Sequence, residues 1–351
     1  MTEGEKMKAF LFQTPKNVEI AEREKPELKD NEVLIKVKNI GICGSDISLY
    51  NGKYSGPHKY PMLFGHEWSG IIAEVGKKVT GISVGDKVTG DCSRYCGTCE
   101  YCKVDKNLCK HIEKFGITVD GASAEYIVRD AKYVYKAPEE LDFDLICLTE
   151  PIAVAAHMIK KILKVAESLT DKKILIMGGG PIGLASLMLL KKLYNCDSVD
   201  LYDIVENRMK LAVSLGAGSP SEELFKLNSD ENNYNSLYTT AHYDIIIETT
   251  GNAKALVNTI HMAKPMGIIG CVGMLPNVEI PQKLIVLKSL TVIGSIGGTG
   301  EFEEVLDFIK TNPDYVRHLI SHKFPITDCE KAFEACRDAA TAMKVELYFE
   351  D

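Results

Sequence analysis

The sequence predicts an α/β protein with two domains, a β-rich half followed by a parallel, doubly wound sheet. Three observations support this. At 351 residues the chain exceeds the size at which a single hydrophobic core usually stops growing. Its hydrophobic pattern changes from an alternation of period two to repeated strand-then-helix segments. Apolar residues make up 45% of the chain and charged residues 26%, the balance of a globular protein able to bury a sizeable core.

In the first half, Val33, Ile35 and Val37 alternate with outward positions. Short β-rich runs separated by Gly70, Gly76, Gly81, Gly85 and Gly90 then continue to about residue 135, which reads as an antiparallel β-domain. From Lys172 the pattern repeats as strand then helix: residues 174 to 177 then 184 to 193, 199 to 202 then 208 to 215, and 245 to 247 then 253 to 263. Beyond Gly294 a helical stretch (302 to 310) and an amphipathic tail (329 to 337) are expected to return to the first domain. Residues 219 to 241 are uninformative, and no internal repeat or low-complexity segment occurs.

Charge and cysteine usage narrow the function. A formal net charge of -8, with Lys and Arg scattered, leaves no basic field for phosphate backbones, so no nucleic-acid partner is expected. The polar N-terminus has no apolar h-region and no apolar run long enough to span a bilayer, so a cytoplasmic protein without a membrane partner is expected. The eleven cysteines include five between Cys92 and Cys109, which in a chain of this kind points to metal rather than a disulfide framework.

Cys96, Cys99, Cys102 and Cys109 carry the strongest single signal, because thiolates spaced two residues apart on a tight lobe converge tetrahedrally on Zn²⁺. Four thiolates leave no open coordination position. Such a site is structural, holding together a polar loop too short to build its own core. Cys92 is the alternate ligand, and four unrelated buried thiols are the bland alternative.

Gly178, Gly180 and Gly183 lie between an apolar strand and a helix. Glycines there let the backbone turn tightly and approach a pyrophosphate at the helix N-terminus. Asp203 follows Gly183 by 20 residues, where a carboxylate accepts hydrogen bonds from the ribose of NAD and repels a 2′-phosphate. A plain βαβ unit whose glycines only permit close packing is the alternative. A third set is dispersed: Cys43 in Gly-Ile-Cys-Gly-Ser-Asp, His66 and Glu67 in Gly-His-Glu, and Glu150 in Thr-Glu-Pro. Taken singly, each is an ordinary buried polar residue or small hydrophobe.

In that order, with the Cys-rich lobe and the Gly-x-Gly-Pro-x-Gly loop, these motifs give the chain a resemblance to the zinc-containing medium-chain dehydrogenases over its whole length. It is most similar to the sorbitol, threonine and galactitol-phosphate dehydrogenase branch, where a glutamate, here Glu150, replaces a cysteine near the catalytic zinc. The resemblance implies a GroES-like catalytic domain (1–152 and 290–351), a Rossmann NAD-binding domain (153–289), an active-site cleft between them, and a homodimer or homotetramer. It implies two zinc ions per chain. Cys43 and His66 are ligands of the catalytic one, with Glu67 and Glu150 both near enough to ligate, and Asp46 orients His66. Ser45 corresponds to the hydroxyl that takes the substrate proton. Gly178, Gly180, Pro181, Ile182, Gly183, Asp203, Arg208 and Thr250 would bind NAD.

The sequence departs from the family pattern in two places. Six residues separate Cys102 from Cys109 where relatives usually have seven, and Ser48 replaces a histidine that passes the proton to solvent. His58 is a possible substitute, though a solvated surface histidine is the simpler reading. The chemistry implied is hydride transfer from a secondary hydroxyl to NAD, with an open zinc position acting as Lewis acid. An oxygen-rich zinc shell favours a vicinal diol, so the expected substrate is a polyol, a sugar alcohol or its phosphate. The turn Gly297, Gly298, Thr299, Gly300 is weighed as an anion site against a flexible surface loop. A threonine-type or simple secondary-alcohol dehydrogenase is the close alternative. A reductase lacking catalytic zinc and a non-catalytic NAD-binding sensor are the remote ones.

Overall fold

A computed structural model describes residues 5–226, 229–230 and 232–350. The chain forms two compact units, Met1–Ala153 with Gly297–Asp351, and Val154–Ile296.

In the first unit, strand Glu32–Ile42 is the hub of a seven-stranded sheet, pairing with Glu67–Val75, Tyr126–Asp130 and Lys344–Tyr348. Most of its residues are buried, as its run of Val, Leu and Ile requires. The register places Gly41 opposite Glu67 on one side and opposite Glu346 on the other, with Ile42 opposite Val345. The end of this strand is therefore flanked by the two chain segments that build the site. Strand Lys6–Thr14 pairs with Asn17–Glu24 and Met62–Leu63 in a separate small sheet. Phe12 stacks on Phe64 with ring centroids 4.5 Å apart, and Phe333 from helix Cys329–Ala335 packs against Phe12 at 5.4 Å. The C-terminal helix is thus held on the N-terminal β-structure by aromatic pairs that each contribute about 0.5–1.5 kcal/mol beyond their buried area.

The C-terminal strands Ile320–Pro325 and Lys344–Tyr348 run parallel to each other beside the antiparallel strands. They are absent from the sequence reading, which has only helices beyond Gly294. The reason is physical: Lys344 and Glu346 are buried charges that interrupt the apolar alternation by which a strand is recognised.

The second unit is a five-stranded parallel sheet in the order Val199–Tyr202, Ile174–Met177, Tyr243–Glu248, Ala263–Cys271, Thr291–Gly294. All four residues of Ile174–Met177 are buried, as expected for a parallel strand covered on both faces. Helices Pro181–Lys192, Glu206–Ser214 and Ala253–Met262 fall where the strand-then-helix pattern puts them, with ends shifted by at most three residues. Among the described residues no helix is long and apolar enough to cross a membrane.

Candidate active site

Strand Glu32–Ile42 runs directly into the short helix Gly44–Tyr50, whose N-cap is Cys43. The Asp46 carboxylate reaches back to accept the Cys43 N–H at 2.9 Å and the Gly65 N–H at 3.3 Å, tying the Cys43 turn to the Gly-His-Glu segment. Its other neighbour is His66, whose Nδ1 lies 3.9 Å from Asp46 Oδ1. The ligand atoms of Cys43, His66 and Glu67 all lie within 4.8 Å of one another. Glu150, in the first turn of helix Thr149–Ala166, is buried beside them but outside that compact group, with the Cys92 thiol among its neighbours.

The donor set fits a zinc ion. Thiolate, imidazole and carboxylate are its usual ligands. His66 Nδ1 is buried without a hydrogen-bond partner, an arrangement that is rare unless some other group completes it. Burial alone would lower the His66 pKa, but Asp46 foremost, then Cys43 and Glu150, outweigh it and raise it to about 10. Burial also pushes the Asp46 and Glu150 carboxyls up. A pocket with this much anionic character favours a cation.

Ser45 Oγ is buried and has no hydrogen-bond partner. Ser48 donates its hydroxyl to the Gly44 carbonyl one helical turn back, at 2.9 Å, so that proton is committed to the backbone. His58 is exposed, with Nδ1 2.8 Å from the Gly56 carbonyl oxygen and its ring edge-on to Tyr54 and Tyr60. Sequence reasoning missed Tyr54, a half-buried phenol raised by burial and then by the charges of Cys43 and Asp46. It also missed Lys344, buried against Glu67. No motif marks either one.

The cysteine lobe is different in kind. Cys96 to Cys102, Cys99 to Cys102 and Cys96 to Cys109 have Sγ separations of 3.9, 3.5 and 3.6 Å. Four sulfurs around zinc at about 2.3 Å would lie about 3.8 Å apart, so the cage is already shaped for the ion. The Cys96 and His111 N–H groups each point at Cys109 Sγ at 3.3 Å. Backbone N–H groups of Thr98 and Cys99 lower the Cys96 thiol to about 5. Cys92 stands apart from this cage, beside Ser93 at 3.5 Å and near Glu150, and so does not serve as its alternate ligand. The turn around Thr299 is tied to the lobe rather than loose, and one of its N–H groups is taken: the buried Thr299 gives its N–H to Asn107 Oδ1 at 3.1 Å.

In the second unit, Gly178 has φ +103° at the end of strand Ile174–Met177, and a side chain there would meet Thr249 Oγ1 at 2.7 Å. Gly183 packs so closely on the Gly178 carbonyl that a methyl group has no room. Gly180 caps helix Pro181–Lys192, with Pro181 and Ile182 opening it, so unpaired N–H groups gather where a pyrophosphate would sit. Asp203 follows strand Val199–Tyr202. Its Oδ2 accepts the Gly179 N–H at 2.7 Å and its Oδ1 the Val205 N–H at 2.8 Å, with Arg208 Nη1 3.7 Å away. Thr250 bonds through both N–H and hydroxyl to the buried carboxylate of Glu248, which sequence reasoning did not single out.

The chain is similar to known dehydrogenases along most of its length. Residues 29–139 match the alcohol dehydrogenase GroES-like domain and residues 143–347 the glucose dehydrogenase C-terminus. A zinc-type alcohol dehydrogenase-like protein of Haemophilus influenzae is 34% identical over 326 residues, 90% of this chain and 91% of that protein. A sorbitol dehydrogenase of Halalkalibacterium halodurans is 30% identical, covering 97% of this chain and 99% of that one. Among solved structures, the RspB alcohol dehydrogenase of Escherichia coli, complexed with NADH, superposes with a TM-score of 0.86 at 30% identity, covering 99% of this chain and all of that one.

Proposed function

We propose, from the premise that this chain belongs to the zinc-containing medium-chain alcohol dehydrogenase family, that it oxidises a secondary hydroxyl of a polyol or sugar alcohol with NAD. The observation that carries the reading is the compact Cys43, His66 and Glu67 group with a second buried carboxylate, Glu150, beside it. Zinc held there supplies a Lewis acid that lowers the pKa of a substrate hydroxyl. Cys43, His66 and one or both of Glu67 and Glu150 would hold it, with Asp46 fixing the Cys43 turn and facing His66. The unpartnered Ser45 hydroxyl is the acceptor for the substrate proton. Ser48 does not carry that proton onward as a donor, because its hydroxyl is spent on Gly44.

The substrate class follows from the donor set. Two carboxylates in place of a second thiolate make a harder shell that accepts an additional oxygen donor, and a vicinal diol offers two. The sorbitol dehydrogenase relative supports the same reading. A phosphate on the substrate gains no support from the Thr299 N–H, which is already engaged by Asn107. The test is kcat/KM for a diol and its mono-deoxy analogue. Loss of one oxygen contact is expected to cost about ten- to hundredfold, and equal values would remove the diol from the reading.

NAD is the proposed cofactor because Asp203, anchored by Gly179, places a carboxylate where a ribose binds and a 2′-phosphate would be repelled. Asp203→Ser is expected to narrow the preference for NAD over NADP about tenfold or more, and a wild-type enzyme with higher kcat/KM for NADP would refute the assignment. Residence in a reducing, cytoplasmic compartment is part of the proposal, supported by eleven cysteines that are all unpaired. So is a homodimer or homotetramer, supported by the edge strand Thr291–Gly294 with its half-exposed Val292.

A further inference from the structure

Glu67 does not face the metal group alone. Lys344 Nζ lies 2.8 Å from its Oε1 and 2.6 Å from its Oε2, and both side chains are almost fully buried, at 4% and 1% exposure. The same ammonium also donates to the Ile42 carbonyl at 3.3 Å, immediately before Cys43. The backbone is arranged for this pairing. Strand Glu32–Ile42 separates Glu67 from Lys344, and at the crossing point it carries Gly41, where any side chain would collide with Glu67 Oε2. The Glu67 carboxylate thus lies across a gap that only glycine leaves open, reaching towards a lysine 277 residues away in sequence.

Resting on the metal-site reading above, we propose that Lys344 is a positioning residue that competes with the metal for the Glu67 carboxylate, keeping Glu67 an exchangeable donor and the substrate position open. A carboxylate has about four lone-pair directions, and Lys344 takes one from each oxygen of Glu67. The ammonium also cancels one negative charge in a pocket that holds Cys43, Glu67 and Glu150. Without it, the uncompensated Glu67 anion has the metal as its nearest counter-charge and closes the site.

The test uses the full-length zinc enzyme as wild type, Lys344→Met, Lys344→Arg, Gly41→Ala, and Lys344→Met combined with Glu67→Gln. It reads zinc content, the rate of zinc transfer to a chromogenic chelator, the visible spectrum of the cobalt-substituted protein, and kcat separately from KM. For Lys344→Met we expect transfer from the dispersed site to slow about tenfold, the cobalt spectrum to change, and kcat to fall about tenfold with KM for NAD little changed. Adding Glu67→Gln is expected to reverse the slowing of transfer, because the competing carboxylate is gone, and Lys344→Arg to keep the wild-type spectrum and rate. A purely structural lysine predicts the reverse, faster zinc loss with no spectral change, and that result overturns the proposal. If Lys344→Met does not fold, Gly41→Ala decides: it dislodges Glu67 while leaving Lys344 in place, and an unchanged cobalt spectrum is the overturning result. A wild type holding only the lobe zinc refutes the metal-site reading and this inference with it. Two zinc ions with an unaltered Lys344→Met refute the inference alone.

Discussion

The two metal-binding regions of the catalytic unit use the same ligand chemistry in opposite ways. In the lobe, four cysteines within a 14-residue stretch hold three of their sulfur pairs 3.5–3.9 Å apart and all four within 4.8 Å, with backbone N–H groups aimed at them, so the chain's own local geometry makes the cage. In the dispersed site the ligands come from distant segments and are placed by a sheet register, and polar atoms are left unsatisfied: His66 Nδ1 and Ser45 Oγ have no partner. A satisfied cage stabilises, whereas a site with unmet hydrogen-bonding capacity is able to bind and transform something else.

The sharpest way to break this contrast is to remove one thiolate from each region. Cys43→Ser is expected to leave a folded protein with one zinc per chain and kcat reduced on the order of a thousandfold, the loss of a Lewis acid that supplies several kcal/mol to the transition state. Cys99→Ser is also expected to leave one zinc, but to act mainly on stability. A Tm about 4–8 °C lower corresponds to roughly 2 kcal/mol in a unit of this size. Activity per correctly folded molecule should stay within about threefold of wild type. Metal analysis, calorimetry and steady-state kinetics on the two variants decide it. If Cys99→Ser loses activity as completely as Cys43→Ser at equal stability, the division into a structural and a catalytic site is wrong.

The contrast also explains which parts were legible in the sequence. The lobe could be read from spacing alone, because its ligands are near neighbours and their geometry is local. The Gly178 turn and Asp203 were legible because strand, glycine and helix follow in order. The dispersed set required a family resemblance: Cys43, His66 and Glu67 come together only when strand Glu32–Ile42 pairs with strand Glu67–Val75, Glu150 approaches from a helix, and no periodicity encodes that meeting. Lys344 and the strand Lys344–Tyr348 were illegible for a related reason. Alternating Lys344, Glu346 and Tyr348 with Val345 and Leu347 looks like a solvated edge, yet Lys344 is buried by its ion pair with Glu67 and Glu346 by the bond from Asn39. Cys92 and the Thr299 turn were misplaced because each is settled by a long-range neighbour: Cys92 lies beside Glu150, and the Thr299 N–H donates to Asn107.

Glu346 gives the smallest test, and it sharpens the contrast by asking whether a buried charge on this strand matters only when it touches the metal group. Two residues beyond Lys344, it accepts a hydrogen bond from Asn39 at 3.1 Å, and its other oxygen is buried without a partner. Burial first, and the nearby Asp144, raise its pKa to about 8, against the opposing pull of Asn39, Lys323 and Lys344. Because the folded value lies above the ordinary 4.5, the folded state binds more protons than the unfolded one between these two values. The stabilisation is complete below about pH 4.5 and is lost as pH rises through about 8. Glu346→Gln keeps the bond from Asn39 but removes the titration. Its Tm is therefore expected to exceed that of wild type by a few degrees at pH 9, with the gap closing towards pH 5, at about 2–4 °C per kcal/mol. Zinc content and kcat should match wild type, since Glu346 lies outside the Cys43, His66 and Glu67 group. A parallel pH dependence of Tm in the two proteins would show that Glu346 is already ionised in the folded state. A lost zinc ion would extend the metal site along the strand and weaken the special place given to Lys344.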